Sequence, residues 1–327
     1  MEYPQTMIAL MEAFHSEEQC LAFLEEIRWW SKCPHCWHGD FWRSKIRRTS
    51  TCKSCHSVLS VTADTVLHRV RIPLRAIFLM AWLMVTSKQG ISDEELAHIL
   101  CISGKTTWLW HHKFRQIMVL WGRSKLTWDV EVDEVFVWGK KAGKRGRWAE
   151  GKLIVIMAVE INREHLNVDW LYRGMGRVRM QVIEDCSSHT LKDFIQNNIE
   201  TGSTIYTDKW SGYNGIEKEG YRHILQEAPV GDKVDFPGIE SSEVTPNVHI
   251  IASLLKRWLL GTHQKYCTKD GYLQEYLEEY TFRFNRRTSW DRGKLFKILI
   301  EQILTLGPTT MEWLRKKRKQ TVDMSVK

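Results

Sequence analysis

The chain has 327 residues, of which 43% are hydrophobic and 26% charged, a composition typical of a globular protein of two or three domains. Its formal net charge of +8 favours a polyanionic partner. The longest apolar stretches, such as the ten residues 76–85, are too short to cross a bilayer, and the N-terminus lacks the features of a secretory signal. We therefore expect neither a membrane protein nor a secreted one.

The first predicted elements are a helix, residues 14–30, which begins with a Ser-x-x-Gln capping pattern, and a polar segment, residues 31–62. The polar segment contains the motifs CPHC and CKSC, separated by fifteen residues. This spacing is typical of a structural zinc site that closes a short antiparallel ribbon. Four incidental thiols, or a redox-active pair, are the alternatives. The predicted ligands are Cys33, Cys36, Cys52 and Cys55, and His35, His38 and His56 are possible substitutes.

Residues 90–117 predict two helices joined by a tight turn. A Ser-x-x-Glu capping pattern begins the first helix, the segment CISGK forms the turn, and the second helix begins at Thr106. This is a helix-turn-helix pattern, in which the second helix would enter the major groove of DNA. An ordinary helical hairpin is the alternative. The second helix carries the aromatic and basic residues Trp108, Trp110, His111, Lys113 and Arg115.

From residue 127 onward the pattern changes to strands. Residues 127–139 alternate between apolar and polar, residues 152–161 are almost continuously apolar, and residues 203–208 form a third candidate strand. Helical patterns follow at about residues 189–200, 247–261 and 271–286.

Two aspartates occupy this strand region. Asp133 lies within the first strand and Asp208 ends the third. Carboxylates on neighbouring strands can hold two divalent cations, which activate a water or a 3′-hydroxyl in phosphoryl transfer. Glu131 is expected to share a sheet face with Asp133. For either aspartate taken alone, a solvated position at a strand end is the alternative.

The connection between the first two strands, residues 139–148, is basic. We expect it to position DNA phosphates near Asp133, and a solvated hairpin tip is the alternative. Its basic residues are Lys140, Lys141, Lys144, Arg145 and Arg147.

The order of these segments resembles that of a known family. After the zinc ribbon and the helix-turn-helix come DVEVDEVFVWGKK, YTDKWSGYNGI, LLKRWLLGTHQKY and EEYTFRFNRR. This order resembles the zinc-ribbon DDE transposases of bacterial insertion sequences, whose eukaryotic relatives include the Merlin elements. The resemblance covers roughly residues 15–295. It implies an α/β core of ribonuclease H-like type, a mixed sheet with flanking helices, in which three acidic residues bind Mg or Mn.

The resemblance implies that Asp133 is the first of these acids and Asp208 the second. The third position, near the start of a late helix, holds His249, where most relatives have Glu and some branches have Asn. An imidazole suits manganese or zinc better than magnesium and brings no negative charge. Asn247 and Glu243 take this position if the register of the helix differs.

Further residues take their expected roles from the same resemblance. Glu279, Arg283 and Arg286 stand at i, i+4 and i+7 on one helix face and would support the active site or hold the DNA backbone. An exposed stripe of ion pairs is the alternative. Lys256 and Arg257, on the helix of His249, are expected to face phosphate.

Four regions are therefore expected. They are an N-terminal helix with a zinc ribbon (1–62), a helix-turn-helix region (63–126), a ribonuclease H-like transposase core (127–300) and a basic C-terminal tail (301–327).

The first hypothesis for the function is a DNA transposase that binds element ends and catalyses metal-dependent strand cleavage and transfer. Its partner would be double-stranded DNA, and it would act as a homodimer or a larger synaptic complex. The second hypothesis is a domesticated or decayed derivative that binds DNA without cutting it, and the third is a zinc-ribbon transcription regulator. The expected location is the nucleus of a eukaryotic host or the cytoplasm, at the nucleoid, of a bacterial one.

Overall fold

The computed structural model describes residues 3–44, 46–119, 124–137, 153–161, 174–226, 245–263 and 271–314. They form two compact units: the first comprises the described residues up to Val119 and those from Thr288 onward, and the second comprises those between. None of the described helices is both long enough and apolar enough to cross a bilayer. In chain order the elements are α1 (Met7–Ala13), α2 (Glu17–Trp29), β1 (Phe41–Ser44), β2 (Thr49–Cys52), β3 (Val58–Leu59), α3 (Leu74–Thr86), α4 (Asp93–Leu100), α5 (Gly104–Met118), β4 (Asp129–Val137), β5 (Leu153–Ile161), β6 (Met175–Ile183), α6 (Ser188–Asn198), β7 (Thr204–Thr207), β8 (Arg222–Leu225), α7 (Pro246–Thr262), α8 (Leu273–Phe284) and α9 (Arg292–Thr305).

In the first unit, α2 supports the antiparallel sheet β1-β2-β3. The predicted capping box begins α2, with Ser16 and Gln19 each accepting a hydrogen bond from the other's backbone N–H. Glu25 of α2 is buried and accepts hydrogen bonds from Arg43 Nε, at 2.8 Å, and from the hydroxyl of Ser50. A buried carboxylate is stable only when its oxygens are hydrogen-bonded, so these contacts attach the small sheet to the helix.

The helix-turn-helix pattern corresponds to α4 and α5, which are joined by residues 101–103. Cys101 ends α4 in the left-handed conformation, with φ of 51°, and Ser103 caps α5 by accepting a hydrogen bond from Thr106 N. The helix therefore begins before Thr106, because Ser103 supplies the cap. A hydrogen bond between His111 and Asp93 joins the two helices. Burial alone would raise the pKa of Asp93, but the contact with His111 lowers it below its usual range.

The division of the chain differs from the expected one at α9. This helix packs against α2, α3 and α5 of the first unit, whereas we expected the core to extend to residue 300 and the tail to begin at 301. Phe296 is fully buried among aromatic rings of the first unit, with its ring centroid 5.6 Å from that of Phe78. In the sequence, α9 follows the core. This position does not indicate which apolar cluster Phe296 packs into.

The second unit contains a five-stranded sheet of order β6-β5-β4-β7-β8. The pairs β4–β5 and β5–β6 are antiparallel, and the pairs β4–β7 and β7–β8 are parallel. This strand order, with these directions, is that of a ribonuclease H-like sheet, as expected.

Strand β4 separates an apolar face of this sheet from an acidic one. Val130 and Val132 belong to a buried cluster that includes Leu191 and Phe194 of α6. Because side chains alternate along a strand, the residues between them face the other side, where α7 packs against β4 and β5. The acidic residues Glu131 and Asp133 therefore meet α7.

We predict that Phe296→Ala lowers the free energy of unfolding of the first unit by about 3–5 kcal/mol, because it leaves a cavity among buried rings. The matched control is Trp290→Ala, just before α9, since Trp290 is 98% exposed and its loss should change stability by no more than about 0.5 kcal/mol. Urea denaturation followed by circular dichroism measures both. Equal, small effects would contradict the packing of α9.

Candidate functional site

The four predicted zinc ligands lie together in the first unit. Their sulfur atoms are all within 4.8 Å of one another, with 3.6 Å between Cys33 and Cys55 and 3.4 Å between Cys36 and Cys52. A tetrahedral zinc ion with Zn–S bonds of about 2.3 Å places its sulfurs about 3.8 Å apart. The cluster therefore fits a structural zinc ion.

Hydrogen bonds around the cluster suit metal binding. Contacts with the hydroxyl and backbone N–H of Ser57 lower the pKa of the Cys55 thiol to about 6, which favours the thiolate that a metal requires. Two of the possible substitute ligands have other contacts: His56 stacks on Trp42, and His38 lies 3.7 Å from Asp40. The four cysteines are thus sufficient to close the site.

We predict that replacing Cys33, Cys36, Cys52 or Cys55 with Ser reduces the zinc content below one ion per chain and destabilises the ribbon, because so small a sheet cannot hold its fold by burial alone. Cys101→Ser is the matched control, since Cys101 is an exposed thiol outside the cluster. Elemental analysis of each purified protein provides the measurement. Full zinc content in all four ribbon variants would rule out the site.

Asp133 lies at the centre of the second candidate site. Its Oδ1 accepts a hydrogen bond from Glu134 N at 2.7 Å, and its Oδ2 accepts one from the Thr245 hydroxyl at 2.7 Å. His249 Nε2 on α7 is 3.4 Å from the same Oδ2. Neighbouring ligands of one six-coordinate cation with bonds of about 2.1 Å lie about 3 Å apart, so Asp133 and His249 are placed as two ligands of one ion would be.

Asp208 is level with Asp133 on the neighbouring strand. The parallel register pairs Glu131 with Tyr206, so two residues further along Asp133 is opposite Asp208, just beyond the end of β7. Asp208 Oδ1 accepts a hydrogen bond from Trp210 N at 2.9 Å. Within the described part of the chain, Asp133, Asp208 and His249 do not form a group whose ligand atoms all lie within 4.8 Å of one another. The structure thus brings His249 to Asp133, and Asp208 to the adjacent strand.

A chain of polar contacts holds the end of β7. The hydroxyl of Thr207 lies 2.8 Å from the carbonyl oxygen of Asp208 and 2.8 Å from His223 Nε2. His223 Nδ1 is in turn 3.2 Å from a carboxylate oxygen of Glu217. This network fixes the backbone of Asp208 to β8, and the sequence analysis did not identify it.

Neither alternative to His249 is seen in contact with Asp133 in the described part of the chain. Asn247 is engaged elsewhere, since its side chain and backbone N–H both donate to Glu131 at 2.8 Å. Glu243 lies outside the described residues. Of the two α7 candidates, His249 is the one in contact with Asp133.

Several basic candidates fall on α7 or outside the described residues. Lys140, Lys141, Lys144, Arg145 and Arg147 lie outside them. On α7, Arg257 is exposed and Lys256 is half-buried. With a rise of 1.5 Å per residue, Arg257 lies about 12 Å along the helix from His249.

The residues on α8 pack within the protein. Glu279 is buried and its Oε1 is 3.7 Å from Arg283 Nη1, while the guanidinium of Arg283 lies 5.9 Å from the ring centroid of Trp258 on α7. Arg286 lies over the ring of Phe282 at 4.0 Å and donates to its carbonyl oxygen. These contacts favour the supporting role for all three residues, and a contact with the DNA backbone stays a prediction.

Most of the candidate side chains on α5 are buried. Trp110, His111, Lys113 and Arg115 face the interior of the first unit, and burial lowers the pKa of Lys113 to about 8. Only the beginning of the helix, including Lys105, is exposed. Those four residues of the second helix are therefore part of the core and not of a DNA-reading surface.

Two family models match the chain. Residues 125–285 match an ISXO2-like transposase domain, and residues 15–58 match a transposase zinc-ribbon domain. The chain belongs to the zinc-ribbon DDE transposases of the IS1595 group. It is a transposase-like protein with a structural zinc site formed by Cys33, Cys36, Cys52 and Cys55.

Solved structures of Mos1 overlap with the chain more distantly. The crystal structure of the Mos1 strand transfer complex has 10% sequence identity and a TM-score of 0.23, with 71% of this chain and 78% of that chain covered. The Mos1 transposase paired-end complex with the left transposon end has 10% identity and a TM-score of 0.24, with 76% and 78% covered. No curated protein matches the chain.

Proposed function

We propose that this protein binds the double-stranded DNA of element ends and catalyses metal-dependent strand cleavage and strand transfer. The observation that carries the proposal is the contact of His249 with Asp133, beside Asp208, in a ribonuclease H-like sheet. In this family, acids on the first strand, the fourth strand and a late helix occupy these places. Divalent cations bound there would activate the attacking oxygen and stabilise the leaving one.

The residues of the chain have separate tasks in this reaction. Asp133, His249 and Asp208 would hold the cations, and Thr245 orients Asp133 through its hydroxyl. In cleavage, the oxygen of a water bonds to phosphorus as an ester bond breaks, which leaves a 3′-hydroxyl. In transfer, that hydroxyl attacks a phosphorus of the target strand and releases a 3′-hydroxyl there.

The donor set supports manganese over magnesium. A neutral imidazole in place of a carboxylate removes one negative charge from the site and suits softer cations better. We therefore predict weak cleavage of element-end DNA with magnesium and stronger cleavage with manganese. His249→Glu should increase cleavage with magnesium about tenfold or more, and Asp133→Asn or Asp208→Asn should abolish cleavage with either metal.

Cleavage of a labelled element end by the purified protein tests this prediction, with Asp193→Asn on the exposed face of α6 as the control. If the protein cuts with neither metal and His249→Glu gains nothing, the second candidate function becomes the better one. That candidate is a domesticated or decayed transposase that binds DNA without catalysis. It is favoured by the substitution at His249 and by the separation of the three side chains within the described residues.

Phosphate binding would extend along α7 from the active site. Lys256 and Arg257 follow His249 on the helix, and the segment 139–148, which follows Asp133 in the sequence, contributes its basic residues. Binding by such contacts releases counterions, so the affinity for DNA should fall steeply with salt. The proposal includes a homodimer or larger synaptic complex, formed at the nucleoid of a bacterial host or in the nucleus of a eukaryotic one.

We predict that replacing both Lys256 and Arg257 with Gln flattens the slope of log K against log salt by about 2, because each lost phosphate contact changes the slope by about 1. Neutralising the five basic residues of the segment 139–148 should flatten it further. The matched control replaces two exposed basic residues, Lys218, which precedes β8, and Arg222, which is the first residue of β8. Fluorescence anisotropy with duplex DNA gives the slopes, and identical slopes for both double variants would exclude α7 from the DNA interface.

A further inference from the structure

Helix α7 begins without a cap from its own N-cap residue. Thr245 has φ of 63°, in the left-handed region, and its side chain makes no capping hydrogen bond. Its hydroxyl donates instead to Asp133 Oδ2 at 2.7 Å. The first backbone N–H groups of a helix have no partner within the helix, so those of α7 require acceptors from elsewhere.

Glu131 supplies these acceptors. Its Oε2 accepts hydrogen bonds from Asn247 N at 2.8 Å and from Val248 N at 3.2 Å, and its Oε1 accepts one from Asn247 Nδ2 at 2.8 Å. The residue is only 2% exposed. A carboxylate at a helix N-terminus is stabilised by the N–H groups and by the helix dipole. With both oxygens engaged in this way, Glu131 acts as a remote cap for α7.

The position of this cap determines where His249 lies. Glu131 and Asp133 are two residues apart on β4 and share one sheet face. Glu131 holds Asn247 and Val248, and the next residue along the helix is His249, whose Nε2 reaches Asp133. Strand β4 thus carries the candidate ligand Asp133 and also Glu131, which holds the start of the helix that carries His249.

We propose that Glu131 is a positioning residue, which holds the first turn of α7 on β4 so that His249 and Asp133 meet as a pair of cation ligands. The importance of this pair for cleavage rests on the proposed function. The capping geometry is independent of that function. Partners that orient metal ligands typically change metal affinity by about 10- to 100-fold when they are replaced.

The test uses the full-length protein and manganese alone. Glu131→Gln removes the negative charge and one of the two acceptor oxygens at the start of α7, so the Kd for manganese, measured by titration calorimetry, should rise about 10-fold or more. The matched control is Glu160→Gln, because Glu160 is a partly buried, hydrogen-bonded carboxylate of the same sheet that binds Thr127 N and Arg177. It should change the Kd less than about twofold.

Two further variants separate positioning from general stability. In a His249→Ala background, Glu131→Gln should cause no further loss of manganese affinity, whereas a purely structural effect would cause the same loss in both backgrounds. Equal losses in both backgrounds would overturn the proposal.

A metal-free measurement distinguishes this inference from the proposed function. Crystal structures of wild type and Glu131→Gln should show the Asp133–His249 contact in the first and its loss in the second. An unchanged contact in the variant overturns the positioning role, whatever the catalytic activity. If wild type binds no manganese and cuts no DNA while the contact is lost in the variant, the proposed function fails and the role of Glu131 in placing His249 stands.

Discussion

Two carboxylates on a buried strand place the strongest constraint on the second unit. Glu131 and Asp133 lie on one face of β4, and each is at most 9% exposed. Burial of an ionised carboxylate is costly unless its oxygens accept hydrogen bonds. The N-terminus of α7 supplies those bonds, with Thr245 on Asp133 and the first turn on Glu131. The start of the helix and the acidic strand therefore stabilise each other.

This arrangement gives the second unit two kinds of acid. Glu131 has both oxygens in the helix cap, while Asp133 has one oxygen on the backbone of Glu134 and the other facing Thr245 and His249. The side of the sheet opposite these acids is closed by apolar contacts with α6. The apolar face stabilises the sheet. The acidic face, which contributes less to stability, can therefore be used to bind a cation.

The first unit obtains its stability by different means. Its small sheet has few buried apolar residues, and the cluster around Cys33, Cys52 and Leu59 is closed by the zinc site. The helical part is instead stabilised by packed aromatic rings. Helix α9, which comes late in the sequence, adds Phe296 to this aromatic cluster. The same packing buries one face of α5, which leaves mainly its N-terminal end for any contact with DNA.

The sequence by itself determined the features that depend on local spacing. The two CxxC motifs predicted the thiolate cluster, the capping patterns predicted the starts of α2 and α4, and alternation predicted β4 with Asp133 on it. Resemblance to the family predicted the sheet and the place of His249, because a shared order of motifs reflects a shared topology. The contact of His249 with Asp133 required the fold, since it joins residues 116 positions apart in the chain.

Only the tertiary structure decided which side chains face inward and which distant groups meet. Trp110 and Arg115 lie on the predicted second helix of the helix-turn-helix, and packing in the first unit buries both of them. From the sequence, Glu131 was expected only to share a sheet face with Asp133, but in the structure it caps α7. The local sequence signal for the start of that helix is the Thr-Pro pair at 245–246. Burial and capping between distant elements depend on packing, and the periodicity of a single segment carries no information about its partner.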